Sequence, residues 1–153
     1  MHMLYCRNPV LEARRVKAID SFEAWLMNVN TDPAIIHTIT EELRHGDSSK
    51  FSSYLSEDAS ELIREAAVLQ DAFGRLQFHK GRIATLWDTA QKVYFQEHFG
   101  HTRKIQTKWS VKLIARINKF NMELWENRNA MVQEYKTITA NAIEKQRLEA
   151  KIF

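Results

Sequence analysis

Apolar residues recur along this chain at steps of three and four, the spacing of one helical face, and they do so in five separate runs. In the first, from about Pro9 to Asn28, Val16, Ile19, Phe22, Leu26 and Val29 share one side. The second opens with Asp32 as a capping residue and Pro33 in the first helical position, carries Ile35, Ile36, Ile39 and Leu43, and can end at Gly46. The third starts at Asp58, with Glu61 three residues on as in a capping box. It carries Leu62, Ile63, Ala66, Leu69 and Phe73 and can close at Gly74. The fourth runs from about Arg82 to Phe99 with Ile83, Leu86, Trp87, Ala90 and Tyr94 inward. Two stretches read as connectors: the Ser-rich segment 47–57, pinned by Phe51, Tyr54 and Leu55, and residues 75–81.

The fifth run is the longest, from near Thr102 to about Thr139. Ile105, Trp109, Leu113, Ile117, Phe120, Leu124, Met131, Tyr135 and Ile138 form one stripe, and Val111, Ile114, Met122, Trp125 and Val132 a second. So wide an apolar arc predicts a helix packed on more than one side. It would span roughly 55 Å, more than a compact domain of this size needs, so its end should project or meet a partner. Thr137, Thr139 and Asn141 are weak helix formers and mark an expected break. Within the same run Leu113, Ile117, Phe120, Leu124, Asn127 and Met131 alternate in steps of four and three, but Glu134 takes the next seam position, which favours packing within the chain over a coiled coil. The expectation is an all-α fold of about five helices around one long C-terminal helix. Residues 1–153 form one domain, with 141–153 as a frayed or projecting charged tail.

Composition narrows this picture. Four Gly and two Pro are too few for a fold built on tight turns. Cys6 is the only cysteine, which excludes an internal disulfide. No apolar run approaches the roughly 20 residues of a membrane span, and the first residues lack the apolar core of a signal peptide. The compartment is left open.

Charge is distributed unevenly. Residues 101–153 hold eleven Lys/Arg against five Asp/Glu, a balance of +6, while the first hundred hold eleven against fourteen, or −3. Lys104, Lys108, Lys112, Arg116 and Lys119 follow helical steps and line one side of the long helix beside its apolar stripe. No acid lies between residues 101 and 120, so nothing within that segment supplies the i,i+4 carboxylates that usually support surface lysines. Such a ridge fits phosphate, since each contact releases a counterion. The competing expectation is a solvated face neutralised by Asp58, Glu61 and Glu65 of the third helix.

Other chemistry is sparse. There is no P-loop, G-x-S-x-G or H-E-x-x-H pattern. His2 and Cys6 are a pair where a structural zinc site needs four ligands. His98 and His101 flank Gly100 and read as capping and loop residues. The acid pairs Glu41–Glu42 and Glu57–Asp58 read as solvated charge at helix ends. The expectation is no catalytic, metal or cofactor site.

Two stretches bear a family likeness. His2-Met3-Leu4-Tyr5-Cys6 resembles the end of the zinc-binding region that follows the reverse transcriptase in non-LTR retrotransposon polyproteins. Leu124-Trp125-Glu126-Asn127-Arg128-Asn129 resembles the L-W-x-x-R-N signature downstream in plant and algal members. Gln70, Gly74, Gly81, Trp87, Gln91, Lys108-Trp109 and Leu113-Ile114 look like the sparse pattern of related algal reading frames. The resemblance implies a helical, non-catalytic tail, attached in that family to a polymerase. The family's upstream Cys pair has no counterpart, so its zinc site is not carried over. Trp125, Arg128 and Asn129 are expected to be structural, with Arg128 drawn toward the interior edge of the helix and Trp125 covering its stem.

The leading expectation is therefore a non-enzymatic helical module that binds a partner protein, as a small subunit of a larger assembly. The alternative is sequence-independent nucleic-acid binding by Lys104, Lys108, Lys112, Arg116 and Lys119. An enzyme ranks third.

Overall fold

A computed structural model describes residues 8–45, 50–100 and 108–152. Among them the chain forms α1 (Pro9–Asn28), α2 (Pro33–His45), a 3-10 turn η1 (Phe51–Tyr54), α3 (Glu61–Phe73), α4 (Arg75–His79), α5 (Thr85–Phe99) and α6 (Trp109–Ile152). No strand occurs among the described residues. The fold is all-α, with a long C-terminal helix packed against the others.

Local chemistry sets the helix ends. Asn8 caps α1, its Oδ1 accepting from the Val10 amide at 2.9 Å, and Pro9 takes the first helical position. Asn30, at φ 58, turns the chain out of α1. The Gln91 side chain of α5 clamps this turn: its Nε2 donates to the Asn30 carbonyl at 2.9 Å and its Oε1 accepts from the Asp32 amide at 2.8 Å. Asp32 caps α2 by accepting from the Ala34 amide at 2.9 Å. The third helix starts a few residues later than the capping-box spacing predicts, because Ser60, not Asp58, supplies the capping oxygen. Gly74, at φ 93, ends α3. The connector predicted at 75–81 then winds into one short helix, since that turn buries Phe78 and His79.

The body is built from two helix pairs bridged by α2. α1 lies along α6, α3 along α5, and α2 touches both α1 and α3, with η1 closing over α2 and α3. α1 and α6 run antiparallel. Arg14 Nη1 donates to the Asn127 carbonyl at 3.4 Å near one end, and Phe22 meets Phe120 edge-on at 5.8 Å further along. Phe51 packs on Phe78 at 4.9 Å and on Trp87 at 6.1 Å. Gly81 lets the connector approach α6: a Cβ there would sit 3.1 Å from Ile114 Cγ2, and its φ is 84. Trp109, Leu113, Ile117, Phe120 and Leu124 are buried, as their periodicity predicts, and Trp109 Nε1 donates to Thr31 Oγ1 at 3.0 Å.

The interior also holds charge. Glu42 is fully buried; its Oε1 lies 2.6 Å from Arg75 Nη2 and its Oε2 3.6 Å from Nε2 of buried His79. The expectation of a solvated Glu42 is therefore corrected. Glu42 lies two turns beyond Ile35, so it continues the stripe that α2 presents to the core. Gln70, also buried, accepts from the Ala84 amide at 2.8 Å and Trp87 Nε1 at 3.2 Å, which fixes the entry to α5.

Candidate interaction surface

α6 is a single helix of 44 residues, about 66 Å long. The body covers only its first part. Leu124 is its last buried residue, and every residue from 132 to 150 is exposed. About 30 Å of helix thus stands clear of the body. The expected break at Thr137, Thr139 and Asn141 does not occur. The segment extends a helix already nucleated in the body, so no new nucleus is needed. Strong formers such as Ala140, Ala142 and Leu148 outweigh the threonines, and Thr137 Oγ1 donates back to the Gln133 carbonyl at 3.0 Å.

Past the body the apolar stripe continues through Tyr135 and Ile138, 71% and 61% exposed, while Ile143 and Leu148 are exposed on other faces of the helix. The second stripe, expected to be buried, faces solvent even over the body: Val111 is 62%, Met122 59% and Trp125 49% exposed. The body presents only one flank to α6, so one stripe suffices to bury it. Beyond Trp125, Arg128 is half-buried and Asn129 exposed.

The basic ridge is divided in the same way. Lys108, Lys112 and Lys119 are exposed, while Lys104 lies outside the described residues, as do His2, Cys6 and His101. Arg116 turns inward. It is buried between α1 and α6, with Nη2 3.2 Å from Ser21 Oγ, Nη1 4.0 Å from Glu123 Oε1, and its guanidinium 5.4 Å from the centre of the Phe22 ring. Arg116 thus belongs to helix packing rather than to an exposed ridge. Among the described residues, no carboxylate lies within ion-pair distance of Lys108, Lys112 or Lys119, and Asp58, Glu61 and Glu65 do not neutralise them.

Two other surface features compete. A groove of about 580 Å³ between α2, the segment before α3, and α5 is lined by Asp32, His37, Asp58, Tyr94, Glu97 and His98. Burial pushes the Asp32 carboxyl above its ordinary value, against the Ala34 amide that lowers it, and burial likewise raises Tyr94. These groups are engaged locally. Asp32 caps α2, and His98 stacks on Tyr94 at 4.3 Å with Nδ1 3.0 Å from the Tyr94 carbonyl oxygen. No three His, Cys, Asp or Glu side chains among the described residues gather as metal ligands would. A shallower apolar groove lies along Val68, Leu69 and Leu86, with Glu61, Arg64 and Glu65 at its rim. No helix among the described residues is long and apolar enough to cross a membrane.

No family model, curated protein or solved structure matches the chain.

Proposed function

We propose that the chain is a non-enzymatic helical module that binds a partner protein through α6, as a small subunit of a larger assembly. The observation that carries this reading is the stretch of α6 that leaves the body with Tyr135 and Ile138, on one face, uncovered and Ile143 and Leu148 exposed further on. A single bare helix of this length is marginal in water and gains most from packing its apolar side chains. Clustered exposed apolar side chains are the usual mark of a protein-binding surface. The buried cluster of Glu42, Arg75 and His79 is closed off inside the body, which supports a structural rather than catalytic use.

The test is native size. In an extract of its own cells, the tagged wild-type chain should elute from gel filtration well above its 18.0 kDa mass. Tyr135→Glu with Ile138→Glu should return it to monomer size without loss of helicity. Elution of the wild type as a monomer would overturn the proposal.

A second reading is weak, sequence-independent binding of nucleic acid. It rests on the three unpaired lysines, Lys108, Lys112 and Lys119, and on the retroelement-like Leu124–Asn129 stretch. The three lysines exposed among the described residues would alone give a log-log salt slope on duplex DNA of about −2.7.

A further inference from the structure

The part of α6 that lies on the body presents a distinct solvent face. Lys108, Lys112 and Lys119 line one edge, and Val111, Met122 and Trp125 lie beside them, separated by whole helical turns. Between residues 108 and 122 this helix carries no carboxylate. Lys108 and Lys112 also stand at the N-terminal end of α6, where the helix dipole is positive and adds to their charge. The face is therefore at once apolar and strongly cationic.

We propose that this face docks an amphipathic α-helix of the partner protein, one whose apolar stripe is bordered by Asp and Glu. The inference rests on the interaction-module reading and adds the partner's chemistry. A straight apolar stripe on a helix is best covered by another helix lying along it. Trp125 supplies the half-exposed aromatic anchor that such interfaces favour. The lysine stems extend the apolar surface while their ammonium groups reach the partner's carboxylates. Nucleic acid would satisfy the lysines but leave Val111 and Met122 in water. The ridge's only guanidinium, suited to bidentate phosphate contact, is buried on Ser21 and Phe22.

The full chain is titrated against a fluorescein-labelled three-heptad peptide with Leu at a and d and Glu at e and g, and against a scrambled peptide of the same composition. Anisotropy should show saturable binding of the patterned peptide. Tryptophan emission should shift to the blue, since Trp125 is exposed whereas Trp87 and Trp109 are already buried. Binding should weaken at least about tenfold for the scrambled peptide, for Met122→Glu, and for Lys112→Glu with Lys119→Glu. All three substituted positions are exposed, and circular dichroism checks that the variants stay folded.

Absent binding, or equal binding of the two peptides, overturns the proposal. Tighter binding of duplex DNA that survives Met122→Glu and is lost on lysine reversal assigns the face to nucleic acid and overturns it too. So does a dimer of the chain alone, in sedimentation equilibrium, that Met122→Glu dissolves. If the large native complex persists while the peptide fails to bind, the acidic-helix inference falls and the interaction-module reading stands.

Discussion

Removing the Glu42 carboxylate should be among the most damaging single changes in the body. Glu42→Ala leaves Arg75, a side chain only 15% exposed, without its 2.6 Å partner, and leaves buried His79 Nε2 facing an apolar gap. Breaking a buried ion pair from one side typically costs 3–5 kcal/mol, because the remaining charge is stranded. Arg75 makes a further contact, so the lower end, about 3 kcal/mol, is expected. Against a total stability of roughly 5–15 kcal/mol this is a large fraction. It should lower the melting temperature by about 6–12 °C in a domain of this size. Urea denaturation followed by far-UV circular dichroism measures it. The Glu42→Leu, Arg75→Leu double variant should lose much less than Glu42→Ala, because replacing both charges removes the desolvation cost along with the attraction. The reasoning is refuted if Glu42→Ala costs less than about 1 kcal/mol, or if the double variant is less stable than Glu42→Ala.

Trp109→Ala should cost about 3–5 kcal/mol in the same assay, since it empties a fully buried site and strands Thr31 Oγ1. Asp32→Asn should be neutral or stabilising at neutral pH, because Asn keeps the cap while relieving a partly buried charge. The folded-state carboxyl lies above its ordinary value of 3.8, so Asp32 loses stability as pH rises through that range, and the advantage of Asn should vanish as pH falls below it. Both are checked by denaturation at several pH values; an advantage for Asn that grows on acidification would contradict the burial argument. Deleting residues 132–153 should leave the urea midpoint of the body unchanged within error, since every residue from 132 to 150 is exposed. A clear drop would show that it contributes to the core.

Much of the fold is legible in the residues. Asn8-Pro9, Asp32-Pro33 and Gly74 are local signals, and local chemistry governs helix ends whatever the tertiary context. The buried stripe from Trp109 to Leu124 follows from periodicity alone. Periodicity does not say how many faces of a helix find partners. Val111, Met122 and Trp125 have the right spacing for burial, yet the body offers α6 only one flank. For the same reason Arg116 sits at a ridge position in sequence but is drawn inward by Ser21 and Phe22, which only the antiparallel pairing with α1 brings near. Glu42 was readable on the helical wheel. Its partners Arg75 and His79 were not, because they arrive on a one-turn helix too short to show a period.

The account's central claim is that a partner protein covers the free face of α6. The most direct measurement is site-specific photo-crosslinking in native extract, with a photoreactive residue in turn at Tyr135, Ile138 and Gln133. Gln133 is exposed but lies on the opposite side of the helix from both Tyr135 and Ile138. The account predicts that Tyr135 and Ile138 crosslink to the same discrete protein and that Gln133 does not. Equal crosslinking at all three positions, or none at Tyr135 and Ile138, would contradict it.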